Sequence, residues 1–164
     1  LEEKYEAYQY YLDAVKRDGV PYELITKALP TIEGEVNNIL SQLVDFQMLF
    51  EMDGKNINNY IVYDDDNVWP LELSSGMERF ISSLAIRVAL INVSNLPRSN
   101  FLAIDEGWGT MDSDNLNSVY SLFQYLKSQF QFTLIVSHID SMRDAVDTLL
   151  EIKKEKNYSN IMFD

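Results

Sequence analysis

Two short apolar runs, residues 101–104 (FLAI) and 132–136 (FTLIV), constrain this 164-residue chain most, because a stretch of helical period separates them. A strand, a helix and a second strand in succession make a parallel pair, and its crossover is right-handed. Continuous rather than alternating apolar character predicts strands covered on both faces. The first run ends in two adjacent carboxylates, Asp105 and Glu106, and the second leads through Ser137 to His138, the chain's only histidine. Ligands of open α/β sheets bind beyond the C-terminal ends of strands. The fold class, α/β with a mainly parallel sheet flanked by helices, and the place for chemistry are therefore read from the same residues.

A second feature lies about thirty residues upstream. Ser74, Ser75 and Gly76 form a short polar turn that runs straight into a long apolar-periodic helix, with Met77 and Glu78 in its first turn. Small residues and free backbone N–H groups at the positive end of a helix suit an anion such as a phosphate. Phe80, Leu84, Ile86, Val88 and Leu90 are the residues expected to bury a broad face of that helix.

The remainder reads as support. Leu1, Tyr5, Tyr8, Leu12 and Val15 recur at a 4-3-4-3 spacing, a single apolar stripe that fits either the end of a coiled coil or a surface helix packed on its own domain. Gly19 and Pro21 break it. A short helix is expected to stop at Pro30, and Thr31 to cap another whose Ile32, Val36, Ile39, Leu40 and Leu43 share a face. From Asp45 the period changes to 2. Phe46, Met48 and Phe50 mark one strand, Asp53-Gly54 a hairpin turn, residues 57–63 the return strand, and residues 68–73 a third whose Pro70 marks an edge. Asp64, Asp65, Asp66 and Asn67 lack the ligand spacing of a calcium loop and read as a solvated turn. Asp112 or Ser113 can cap a helix carrying Leu116, Val119, Tyr120, Phe123 and Leu126. A short helix follows His138 through Met142 and Val146, and two closing strands meet around Lys156-Asn157.

Composition narrows the function. Thirteen Lys and Arg against 26 Asp and Glu leave a net charge of −13, which excludes a phosphate-neutralising surface as the chain's main property. No apolar run approaches the roughly 18 residues of a membrane span, so no membrane role is expected. There is no cysteine and hence no disulfide or thiolate metal site.

Singly, each candidate has an ordinary explanation. Acidic residues at strand ends cap helices, a histidine after a buried strand is commonly structural, and Ser-Ser-Gly before a helix is commonly a cap. Their order and spacing together are more specific. ELSSGMERFISSLAIRVAL resembles the signature motif and helix of ABC-class ATPases, FLAIDEGWGTMD a Walker B strand running into a D-loop, and LIVSHID an H-loop. Among these proteins the run from Asp105 to Asp112, with Trp108 in the aromatic place, is similar to the DEGFGTLD-like run of the SMC-like SbcC and Rad-fifty repair branch. PTIEGEVNNILSQL (residues 30–43) resembles the segment where a returning coiled coil enters the head.

That resemblance implies the C-terminal lobe of an ABC-type ATPase head, with residues 1–20 as the end of a coiled-coil helix and residues 21–164 as the lobe. It implies ATP and Mg²⁺ as ligands. Asp105 would hold the Mg²⁺ ion, Glu106 would activate the attacking water, His138 would contact the γ-phosphate, and Asp112 would act across a dimer interface. Ser75 and Gly76, with Met77 and Glu78 beside them, would meet ATP held on a partner head, and a one-residue shift would make Ser74 the contact. Met77 stands where the family has a second glycine. No phosphate loop of the G-x-x-x-x-G-K-[ST] form occurs in the chain, and the resemblance assigns it to an N-terminal lobe of the same head. Further implied partners are a second head, a metallo-nuclease of the SbcD or Mre-eleven kind, and DNA contacted mostly elsewhere, inside the cell. A chromosome-organising SMC protein and a lobe that binds without turnover are the alternatives.

Overall fold

The computed structural model describes residues 2–54, 56–105, 116–155 and 158–163. The chain forms two compact units, Leu1–Arg98 and Ser99–Asp164.

The first unit begins with helix α1 (Glu2–Val15) and helix α2 (Val20–Leu40), which has Pro21 in its first turn. Gly19 sits between them because the chain folds back tightly there. A Cβ on it would lie 2.5 Å from the carbonyl oxygens of Asp13 and Ala14. The expected stop at Pro30 does not occur: α2 runs through it as one helix. Proline removes one intrahelical hydrogen bond, but packing on both sides of α2's C-terminal half outweighs that loss. Leu29, Val36, Ile39 and Leu40 are buried there, as is Leu43 beyond the helix, and each fully buried aliphatic side chain contributes about 1.5–3 kcal/mol.

Strands β1 (Gln47–Met52), β2 (Ile57–Asp64) and β3 (Asn67–Pro70) form an antiparallel sheet in that order, with Pro70 on the edge strand as expected. Gly54 takes φ +75° in the β1–β2 turn, a conformation that favours glycine. The third strand ends sooner than its apolar pattern suggested, at Pro70, and Leu71–Leu73 form a single 3-10 turn. Asp64 accepts from the Asn67 side chain and the Asp66 backbone, which confirms a solvated turn at this position.

The outer edge of β1 is covered by side chains rather than by another strand. Asn37 donates to the Met48 carbonyl and accepts from the Met48 N–H, at 2.9 and 2.8 Å, while Glu33 accepts from the Phe50 N–H at 2.8 Å. Four residues along a helix rise about 6 Å and two along a strand about 6.8 Å, so an i, i+4 pair on α2 matches an i, i+2 pair on β1. This match fixes the helix against the sheet and satisfies an otherwise open strand edge.

Helix α3 (Gly76–Val93) buries Ile81, Ser82, Leu84, Ala85, Val88 and Ala89. Of the face expected from the sequence, Leu84 and Val88 are buried, but Leu90 is 46% exposed. The small residues Ser82, Ala85 and Ala89 are buried as well, and large apolar residues alone do not mark that face. Asn92 on α3 donates to Glu35 on α2 at 2.7 Å.

In the second unit, β4 (Phe101–Asp105) and β5 (Phe132–Val136) pair in parallel, joined through α4 (Leu116–Gln129). Val119, Leu122, Phe123 and Leu126 are buried, an i, i+3, i+4, i+7 stripe, as is Phe130 just beyond the helix; Tyr120 is exposed, one step off the stripe. The expectation that both strands are covered on both faces is corrected. Phe101, Phe132, Leu134 and Val136 are exposed, while Leu102, Ile104, Thr133 and Ile135 on the opposite face are half-buried or buried. Phe101 and Phe132 stack on the open face, with centroids 5.5 Å apart. The residues suit a doubly covered sheet, and the described residues cover only one side of it. The helix expected after His138 is a 3-10 helix, Asp140–Ala145, and the closing strands β6 (Leu150–Glu155) and β7 (Tyr158–Phe163) pair antiparallel.

Candidate functional site

The polar turn before α3 is built as a reciprocal cap. The Ser75 hydroxyl accepts from the Glu78 backbone N–H at 3.2 Å, and the Glu78 carboxylate accepts from the Ser75 N–H at 2.6 Å. Such a capping box satisfies two backbone donors at once and fixes where the chain enters the helix. The first backbone bond of the helix runs from Arg79 N–H to the Ser75 carbonyl. The N–H groups of Gly76 and Met77 therefore precede the intrahelical ladder. Ser75 is exposed, whereas Ser74 is buried and donates its hydroxyl to the Leu71 carbonyl at 2.7 Å. Of the two serines, Ser75 presents its hydroxyl at the helix end.

Tyr63, on β2, was not singled out by the sequence. Its hydroxyl donates to the second Glu78 carboxylate oxygen at 2.6 Å. Its ring lies 5.6 Å from Phe46 and 5.4 Å from Trp69, centroid to centroid. The sequence carried no mark of this contact, since alternation places Tyr63 on a strand but does not say which helix end that strand faces.

Both partners are perturbed. Burial, then the hydrogen bond to Glu78 and its charge, push the Tyr63 phenol up from 10.0 to about 12. Burial alone would raise the Glu78 carboxyl, but hydrogen bonds from Tyr63 and from the Ser75 side chain and backbone outweigh it and hold the group below its ordinary value. A raised phenol contributes stability that is complete below its unfolded value of 10.0 and is lost as pH climbs to about 12. The depressed carboxyl contributes stability that is present above 4.5 and is lost as pH falls through its lower folded value. The difference in melting temperature between the parent and Tyr63→Phe should therefore be constant from about pH 6 to 9 and shrink towards pH 12. A constant difference throughout that climb would contradict the bond.

In the second unit, Asp105 is the last residue of β4 and lies opposite Val136, the last residue of β5. His138 follows two residues later, so the carboxylate and the imidazole stand at the same end of the parallel pair, and both are exposed. Ser137 accepts from the Ile139 N–H at 3.1 Å and donates to the Met142 sulfur, which shapes the loop that carries His138. Glu106 and Asp112 lie outside the described residues. Among the described residues no group of three or more His, Asp or Glu side chains forms a metal cage. A single strand-end carboxylate fits an ion that takes its remaining ligands from phosphate and water, as Mg²⁺ does.

No protein-family model matches the chain. Solved SMC structures match its fold. A chain from work on ATP-driven dimerization and DNA-stimulated activation of SMC ATPases superimposes with TM-score 0.70 at 15% identity, over 86% of this chain and 88% of that one. The SMC head domain from Thermotoga maritima gives 0.59 at 22% identity, over 87% and 50%. Among curated proteins, the SbcC component of the SbcCD nuclease of Staphylococcus aureus (strain JH9) is 30% identical over 93 residues, 54% of this chain. The chain has the SMC-head fold, and its similarity to SbcC extends over 93 residues. An uncharacterized protein of Acanthamoeba polyphaga mimivirus is 37% identical over 94% of the chain. The chain spans 13% of the length of that mimivirus relative and 9% of the SbcC relative.

The parallel pair carries Asp105 and His138 at its C-terminal end, and the capped turn of α3 belongs to the other unit. No helix among the described residues is long and apolar enough to cross a membrane.

Proposed function

We propose that this chain is the C-terminal lobe of an ATPase head in a DNA double-strand-break repair or recombination protein, and that it acts with DNA inside the cell. Two heads close around ATP, hydrolysis reopens them, and the cycle controls a partner nuclease. The capped Ser75 turn is the observation that most supports this reading, because it offers an exposed hydroxyl and two backbone N–H groups to an anion. With no phosphate loop in the chain, that turn serves ATP held on another head. Asp105, Glu106 and His138 serve the ATP on its own head, whose phosphate loop belongs to an N-terminal lobe.

In this assignment Asp105 would hold Mg²⁺, and the ion would supply charge neutralisation for the phosphoryl oxygens. Glu106 accepts a proton from the attacking water, and His138 orients the γ-phosphate. Asp112 reaches across the interface between heads. Catalysis of this kind is mainly positioning and electrostatic stabilisation. The open apolar face of β4 and β5 fits a lobe that is completed by further chain, since exposed Phe101, Phe132, Leu134 and Val136 favour burial. Helix α1, which buries none of its residues and carries exposed Tyr5, Tyr8, Leu12 and Val15 on one stripe, fits the root of a coiled coil in the same way.

The SbcC relationship favours the repair reading. A structural role in chromosome organisation is the second reading, favoured by the fold likeness to an SMC head bound to the C-winged helix domain of ScpA (TM-score 0.66 at 18% identity, over 86% of this chain and 45% of that one). Affinity capture of the whole protein from its own cells separates them. Co-purification of a metal-dependent nuclease is the expected result. Recovery of kleisin-like subunits with no nuclease would overturn the repair assignment.

A further inference from the structure

We infer that Tyr63 is a positioning residue for the Ser75 turn: it holds the Glu78 carboxylate in the capping box and so keeps the helix end open to a phosphate. The inference rests on the reading of that turn as the contact to ATP on another head. Three bonds meet here: the Tyr63 hydroxyl donates to one Glu78 oxygen, the Ser75 N–H to the other, and the Glu78 N–H to the Ser75 hydroxyl oxygen.

The positive end of α3 attracts anions, and Glu78 is the anion nearest to it. With both carboxylate oxygens committed, Glu78 stays off the N–H groups of Gly76 and Met77. Without the phenol, one oxygen is released, and the long side chain gains rotamers that bring its charge over those donors. It would then compete with the incoming phosphate. The packing of the Tyr63 ring against Phe46 and Trp69 fixes where its hydroxyl points, so the antiparallel sheet sets the geometry of the helix end.

The test uses the whole protein with ATP and Mg²⁺. Tyr63→Phe keeps the ring and removes only the hydroxyl. The protein concentration for half-maximal ATP-dependent head association should rise about tenfold, a change worth about 1.4 kcal/mol. Turnover at saturating protein should change less than twofold. A purely structural role would instead lower the active fraction, reducing saturated turnover at unchanged half-saturation, and that pattern would overturn the inference. Adding Tyr63→Phe to Glu78→Ala should have no further effect, and additive effects would also overturn it. Ser75→Asp separates the two levels. If it abolishes association while Tyr63→Phe behaves as parent, the inference fails alone; if Ser75→Asp has no effect, the reading of the turn fails and the inference falls with it.

Discussion

Replacing Glu106 by Gln is expected to reduce ATP turnover by about two to four orders of magnitude while leaving ATP binding intact. Glutamine keeps the size and the hydrogen-bonding reach of glutamate but cannot accept the water's proton. Closure of the heads uses binding contacts to ATP, which the substitution leaves in place, whereas reopening follows hydrolysis. ATP-bound head dimers should therefore accumulate, and size-exclusion chromatography with ATP should show them as a stable species. Full turnover by Glu106→Gln would remove the residue from the role of base.

The second large effect is expected at Ser75. Aspartate caps a helix about as well as serine does, so Ser75→Asp should leave the melting temperature within a few degrees of the parent. Its carboxylate would nevertheless face the γ-phosphate of the opposite head across the space that the Ser75 hydroxyl now faces. Like charges juxtaposed in a closing interface cost several kcal/mol. ATP-dependent association should be lost at protein concentrations where the parent is fully paired. Retained helix content with lost association is the signature of a contact made in trans, because a folding defect would remove both.

The parts of the fold legible in sequence were those with a single dominant period. The β4–α4–β5 unit, the β1–β2–β3 meander with its turn at Gly54, and the start of α3 at the Ser75 cap all followed from local pattern. The departures have tertiary causes. Pro30 is carried within α2 because the residues after it are held against α3 and β1. Ser82, Ala85 and Ala89 belong to the buried face of α3, which large apolar residues alone do not mark. The covered and open faces of β4 and β5 look alike in sequence, since both carry apolar side chains.

At the candidate site, the Ser74-Ser75-Gly76 turn was legible from local chemistry and Glu78 entered through the resemblance to the signature helix, whereas Tyr63 carried no mark. Its bond to Glu78 spans 15 residues and arises from the way β2 meets the end of α3. The Asn37 contacts to Met48 were equally hidden, because a side chain that stands in for a neighbouring strand leaves no periodic trace.

Ser75 serves ATP on one head while Glu106 serves ATP on the other, in the function proposed above. Mixing whole protein carrying Ser75→Asp with whole protein carrying Glu106→Gln tests this division most directly. Each variant alone should be inactive. In a mixed pair, the intact Glu106 of one head meets the intact Ser75 of its partner, and one of the two sites is rebuilt. The equimolar mixture should then show ATPase activity clearly above that of either variant alone, with about a quarter of the parent rate as the limit set by unbiased pairing. If the equimolar mixture stays as inactive as the separate variants, the two residues act on the same head, and the assignment in trans is wrong.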